Sequence, residues 1–224
     1  MSIYPNFSSH LHKAWRYLKS LFNGTKGEYF LIPPGQVVIA GILTILLAVL
    51  FWQGARAYVV CCNWATTSAT YKYHSSLPIN WQSGTNYGAN VWTNVSSSNW
   101  VWSYNSSSGS VVRLGPIDGI NNKAAAVTYY FIIGTTTIVG FELKYDSAET
   151  WYTGSGTPSA GQVDLRSVAA HEFGHALGLN HTQLSNCPGG SSNATMCSGV
   201  PPGTTYARTL AGDDQNGVTY LYHP

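Results

Sequence analysis

The 224-residue chain predicts an α+β fold, with a twisted sheet from its middle stretch followed by helices. Three observations lead there. Residues 126–133 and 137–145 are rich in β-branched and aromatic side chains and meet at Gly134, which reads as two strands joined in a hairpin. Residues 164–177 open on Asp164, whose carboxylate can accept an early backbone N–H, and they end at Gly178, which tolerates a left-handed backbone. The closing stretch 213–222 reads as a second helix. Strands gathered ahead of helices argue for segregated rather than alternating elements.

Taken in order, residues 1–36 mix basic and aromatic side chains, as a membrane-surface segment does. An uncharged apolar run follows at 37–52, within a hydrophobic segment set at 37–53. At 16 residues it is just short of the usual spanning length, and the basic residues ahead of it place its N-terminal side in the cytoplasm. Ala55-Arg56-Ala57 fits a signal-peptide cleavage pattern, so a cleaved signal and an uncleaved anchor both stand. Either puts the rest outside the cytoplasm, secreted or anchored. Residues 54–76 read as a linker, and 77–224 as the folded domain. In that domain 77–81 read as a first strand, 86–95 as a short helix carrying Trp92, and 100–104 and 111–114 as strands. Asp118-Gly119 reads as a turn, and 182–209 as a long loop of the kind that is usually functional.

Charge and cysteines narrow the classes. Residues 1–57 carry five basic side chains against one acidic, and residues 58–224 six against eight. The folded part is therefore no nucleic-acid binder by charge. Four cysteines in an exported chain suggest disulfides. Cys187 and Cys197 would close a short loop, whereas adjacent Cys61 and Cys62 have no assigned pairing. Asn94, Asn105 and Asn193 fit the glycosylation sequon, which matters only in a glycosylating host.

The chemistry concentrates in residues 171–181, His-Glu-Phe-Gly-His-Ala-Leu-Gly-Leu-Asn-His. His171 and His175, four apart, share one helix face and can hold one metal ion. Gly178 lets the helix stop, so that His181 can swing back as a third ligand. Three neutral nitrogens leave a tetrahedral zinc ion one open position. Glu172, on the flank of the same face, is placed to handle a water without ligating the metal. Ala169, Phe173 and Ala176 fall on the opposite face, towards a sheet.

This motif, Met196 and the tail together resemble the metzincins, and among them the matrixin-like M10 peptidases. Asp164-Leu165-Arg166-Ser167-Val168 is similar to that family's helix start. Leu210, Asp213, Asp214, Gly217, Leu221 and Tyr222 are similar to its ending. The resemblance implies a zinc endopeptidase with one catalytic Zn2+ held by His171, His175 and His181. It implies Glu172 as general base and proton donor, Met196 as the floor of a Met-turn, and Asp213 and Asp214 as structural braces. Tyr206 would line a substrate pocket. Substrates would be proteins or peptides lying extended along an edge strand, with 137–145 as the candidate edge. A membrane contact would run through 37–53 if that segment is uncleaved, and a monomer is expected. The family's His-rich structural segment is missing, so neither a second zinc nor a structural calcium has support. Thr182 stands where the family usually has Ser, and no inhibitory cysteine segment is recognisable. The alternative is an extracytoplasmic surface module, binding protein or carbohydrate, with a zinc site and little catalysis.

Overall fold

Alternation of buried and half-exposed residues along 137–146 builds the strand at the centre of the main sheet. Ile138, Phe141, Leu143 and Tyr145 are buried there, while Glu142 and Lys144 between them keep partial access to solvent. The computed structural model describes residues 58–117, 124–183, 187 and 194–224. The chain divides into residues 1–54 and 55–224. The hydrophobic segment, the 55–57 pattern, the 118–119 turn and the Asn193 sequon lie outside the described residues. No helix among the described residues is long and apolar enough to cross a membrane.

The strands are β1 (Val59–Val60), β2 (Asn63–Trp64), β3 (Ser68–Tyr73), β4 (Val101–Tyr104), β5 (Val111–Gly115), β6 (Ala125–Phe131) and β7 (Thr137–Asp146). Short strands β8 (Trp151–Tyr152), β9 (Val163–Asp164) and β10 (Leu179–Asn180) follow. The helices are α1 (Gln82–Thr93), α2 (Leu165–Leu177) and α3 (Gly212–Leu221). The main sheet runs β2-β7-β5-β3-β4, with β6 also on β7. Pairings within that path are parallel, and β6 alone runs antiparallel, with a register shift between Tyr130 and Phe131. This is a mixed α/β architecture with one large sheet and three described helices, consistent with the α+β expectation.

Three expectations change. Residues 58–76, expected to be linker, supply β1, β2 and β3. Residues 77–81, expected to be a strand, form a 3-10 turn (Ile79–Trp81) leading into α1. Leu77 and Trp81 are buried and Ile79 is 84% exposed, so the buried pair is spaced by four, as in a helix, and not by two. Pro78 supplies the fixed φ that suits a helix entrance. Finally, among the described residues β7 is flanked on both sides and β6 pairs with β7 alone, so the outer edge there belongs to β6 and not to 137–145.

The core lies where the sheet meets α1 and α2. Tyr71, Trp102 and Phe141 surround Phe173 with ring centroids 5.0, 5.2 and 6.1 Å away. Ala169, Phe173 and Ala176 are fully buried, which is the face opposite the histidines. The two helices approach closely because Gly88 has no Cβ, which would otherwise strike the main chain of Ala169 and Ala170. Trp92 Nε1 then donates to Ala170 O at 2.7 Å. Tyr222 closes the fold, its hydroxyl donating to Leu177 O at 2.6 Å and accepting from Trp64 N at 3.1 Å.

Candidate metal centre

Helix α2 begins where Asp164 leaves the extended backbone and its Oδ2 accepts from Ser167 N at 2.9 Å. That side chain is fully buried, and Arg208 meets it on two points, Nη2 to Oδ1 at 2.6 Å and Nε to Oδ2 at 2.8 Å. The start of the helix is thereby tied to the far end of the 194–209 segment. The helix stops at Gly178, whose φ is +114°. A Cβ there would also strike Cys62 O, so conformation and space both require glycine. Cys61 N donates to Gly178 O at 2.9 Å, and β10 then pairs with β1 through Val59–Asn180 and Val60–Leu179. That short ladder steers the chain to His181.

The three imidazoles converge. His171 and His175 bring their Nε2 atoms to 3.0 Å, His175 and His181 to 3.2 Å, and His181 and His171 to 3.3 Å. An ion about 2.0–2.1 Å from each nitrogen in a tetrahedral site spaces its ligands about 3.3–3.4 Å apart. The observed triangle comes close to that spacing and fits one zinc ion. The rings are oriented from behind by main-chain oxygens. His171 Nδ1 faces Thr195 O at 2.7 Å, and His175 Nδ1 faces Leu179 O at 2.7 Å. A carbonyl can only accept, so each Nδ1 carries the proton and each Nε2 presents its lone pair to the centre. Burial, with the neighbouring imidazoles, pushes His171 down to about 3 and His175 down to about 4. Both rings are neutral at physiological pH, the form a metal requires.

The residues behind the histidines form one linked support. Met196, 2% exposed, packs under α2 at Gly174, where a Cβ would strike its sulfur and the Trp92 ring. Thr182 N donates to Met196 O at 2.8 Å. Buried Asp214 accepts from Thr195 N at 2.7 Å, Met196 N at 3.0 Å and Ala211 N at 2.8 Å. Burial pushes its carboxyl up to about 6, against the pull of those three donors. Asp213 accepts from Thr182 Oγ1 at 2.7 Å and from Tyr58 N at 2.9 Å. Cys187 is bonded to Cys197 beside Met196, and Cys61 to Cys62 beside the helix end.

In front of the triangle lies a cleft of about 500 Å³. Glu172, 6% exposed, lines it together with the histidines. One wall is Ala124–Val127 and Tyr129, largely from β6, and the other includes Ser198, Gly199 and Val200. Tyr206, expected at the substrate pocket, is not among the described lining residues and stands one layer back. Its hydroxyl donates to Gly199 O at 2.6 Å. The sequence reading overlooked the β6 wall and Tyr129, whose hydroxyl donates to His175 O at 2.8 Å. The only signal was the uncharged strand itself.

The sequence model described as Matrixin matches residues 107–223, a little over half of the chain. The chain belongs to the matrixin family. Matrixins are zinc metallopeptidases, which agrees with the three-histidine centre. Matrix metalloproteinase-25 of Mus musculus is 37% identical over 107 residues, 48% of this chain and 16% of the mouse protein. Metalloendoproteinase 1-MMP of Arabidopsis thaliana is 38% identical over 84 residues, 37% of this chain and 21% of the plant protein. Stromelysin-3 of Xenopus laevis is 35% identical over 83 residues, 36% of this chain and 14% of the frog protein. The chain thus spans under a quarter of the length of each of these matrixin relatives.

Proposed function

We propose that this matrixin chain is a zinc-dependent endopeptidase that cleaves extended segments of extracytoplasmic proteins. The observation that carries the reading is the triangle of Nε2 atoms, 3.0–3.3 Å on a side, in a cleft shared with Glu172. His171, His175 and His181 would hold the ion. Zinc, when bound there, supplies a Lewis acid for the scissile carbonyl and lowers the pKa of water. The chain's own groups do the rest. The carboxylate of Glu172 accepts a proton from the attacking water and delivers it to the leaving amine. The open edge of β6 offers main-chain hydrogen bonds to an extended peptide, which would align the scissile bond with Glu172. Asp214 braces Thr195 and Met196, and through Thr195 O the ring of His171. Asp213 does the same for Thr182 beside His181. Tyr206 holds the Gly199 wall, and the Cys187–Cys197 bond closes the loop leading into the Met196 turn. The family membership does not favour the surface-module alternative.

Glu172→Gln tests the reading. Zinc content stays at the wild-type level, and cleavage of a fluorogenic peptide falls about 10²–10⁴-fold, the usual share of general acid–base catalysis. Near-normal turnover in that variant would overturn the assigned role. A chelator abolishes the wild-type activity, and added zinc restores it.

A further inference from the structure

We propose that the β6–β7 hairpin tip is a lipid-contacting element that seats the domain on a neutral membrane surface. Nine large hydrophobic side chains are exposed among the described residues, and five of them belong to this hairpin. They are Tyr130 (46%), Phe131 (43%), Ile132 (49%), Ile133 (98%) and Val139 (55%). The other four lie outside it, two in β4 (Val101 and Tyr104) and one each at Ile79 and Tyr220. Clustering of this kind, and not exposure itself, marks an interaction site.

The tip is built to display these side chains. Ile132 N donates to Thr137 O at 3.0 Å, Thr135 N to Ile132 O at 3.0 Å, and Thr135 Oγ1 to Ile132 O at 2.9 Å. Gly134, at φ +76°, makes the turn. The main-chain groups of Ile132 and the N–H of Thr135 are thus paired within the tip while the isoleucines are exposed, which lowers the cost of leaving water. No charged residue occurs from 124 to 141, so nothing recommends a nucleic acid, an acidic lipid or a salt-bridged protein partner. Tyr and Phe beside Ile is the composition of a segment resting at the headgroup boundary.

The chain itself supplies the reason to choose a bilayer as the occupant. The apolar run 37–52 ends six residues before Tyr58, a reach of at most about 20–22 Å. Tyr58 is fixed to Asp213, and five residues later Asn63 N donates to Thr136 O at the hairpin tip. Where that run is kept as an uncleaved anchor, chain length alone holds Tyr58 within that reach of the bilayer. β6 lines the cleft up to Tyr129, and the tip begins beyond it. On the peptidase reading, seating the tip would hold the cleft facing material close to the membrane.

The test uses the full chain with phosphatidylcholine vesicles. The four native cysteines are paired, so Ile133→Cys can carry one nitroxide label, and Ile79→Cys serves as an isolated apolar control. With vesicles, the label at 133 becomes accessible to oxygen and shielded from a water-soluble relaxant, at a depth of about 5–10 Å. The label at 79 stays in water. A label at 133 that remains water-accessible overturns the proposal, whether the chain sediments with the vesicles or stays in solution. Immobilisation of that label without lipid, rising with protein concentration, would make a second copy the occupant and also overturn it. No catalytic readout enters, so failure here is distinct from failure of the peptidase reading.

Discussion

Removing Arg208 should destabilise the domain far more than removing an ordinary surface arginine. Its guanidinium meets the Asp164 carboxylate on two points at 2.6 and 2.8 Å, with Arg208 13% exposed and Asp164 fully buried. Two further bonds reach Ser155 O at 2.6 Å and Gly156 O at 2.8 Å, where water can replace them. Arg208→Leu leaves a buried carboxylate with one backbone donor, Ser167 N. Stranding one member of a buried pair costs about 3–5 kcal/mol. With a urea slope of about 2 kcal/mol per M, the unfolding midpoint drops by about 2 M, read at fixed zinc. The sign of the cause is testable. Adding Asp164→Asn removes the stranded charge and keeps an oxygen for the helix cap, so the double variant should be more stable than Arg208→Leu alone. A double variant that is less stable, or a single-variant loss below about 1 kcal/mol as for an exposed pair, would refute the reasoning.

Gly174→Ala gains helix propensity of about 1 kcal/mol but forces a methyl against Met196 and Trp92, at about 1–3 kcal/mol for overpacking. A net fall in melting temperature of a few degrees is expected by calorimetry, and a rise would sink the packing argument. Zinc-free protein should lose stability as pH is lowered from 6.5 towards 4. His171 and His175, held near 3 and 4, refuse protons that unfolded histidines with a value of 6.5 accept. Asp214, raised from 3.8 to about 6, acts oppositely, because the folded chain takes up its proton first as pH falls. Two groups outweigh one, so urea midpoints in chelator should decline from pH 7 to 5, and a flat or rising series contradicts the assignment. Tyr206→Phe releases Gly199 O, and should raise KM several-fold with little change in kcat. An unchanged KM would show that Tyr206 does not act on the cleft through Gly199.

What the sequence disclosed, and what it hid, follows from where the information lies. The helix from 165 to 177, its cap at Asp164 and its stop at Gly178 depend on short-range rules, and they stand in the structure at those positions. Strands β6 and β7 were legible because β-branched and aromatic residues cluster around Gly134. Residues 58–76 were not legible as strands. β1 and β2 have two residues each, too short for any periodicity, and their partners lie at 179–180 and 137–138. Residues 77–81 misled because Leu, Ile and Trp at alternate positions imitate a half-buried strand, while only the first and last are buried.

The same distinction applies within the metal centre. Its candidate ligands can be read from the letters at 171, 175 and 181, yet what aims them is mostly main chain. Thr195 O and Leu179 O set the first two rings, and any residue has a carbonyl. The positions of those carbonyls are fixed by side chains outside the motif. Asp214 holds Thr195 and Met196, and the β1 ladder holds Leu179. A substitution at Asp214 or in β1 should therefore disturb the imidazole triangle without touching a ligand. The His-Glu-x-x-His pattern therefore does not by itself build this centre: a transplanted helix would carry the donors and lack the oxygens that fix their tautomer.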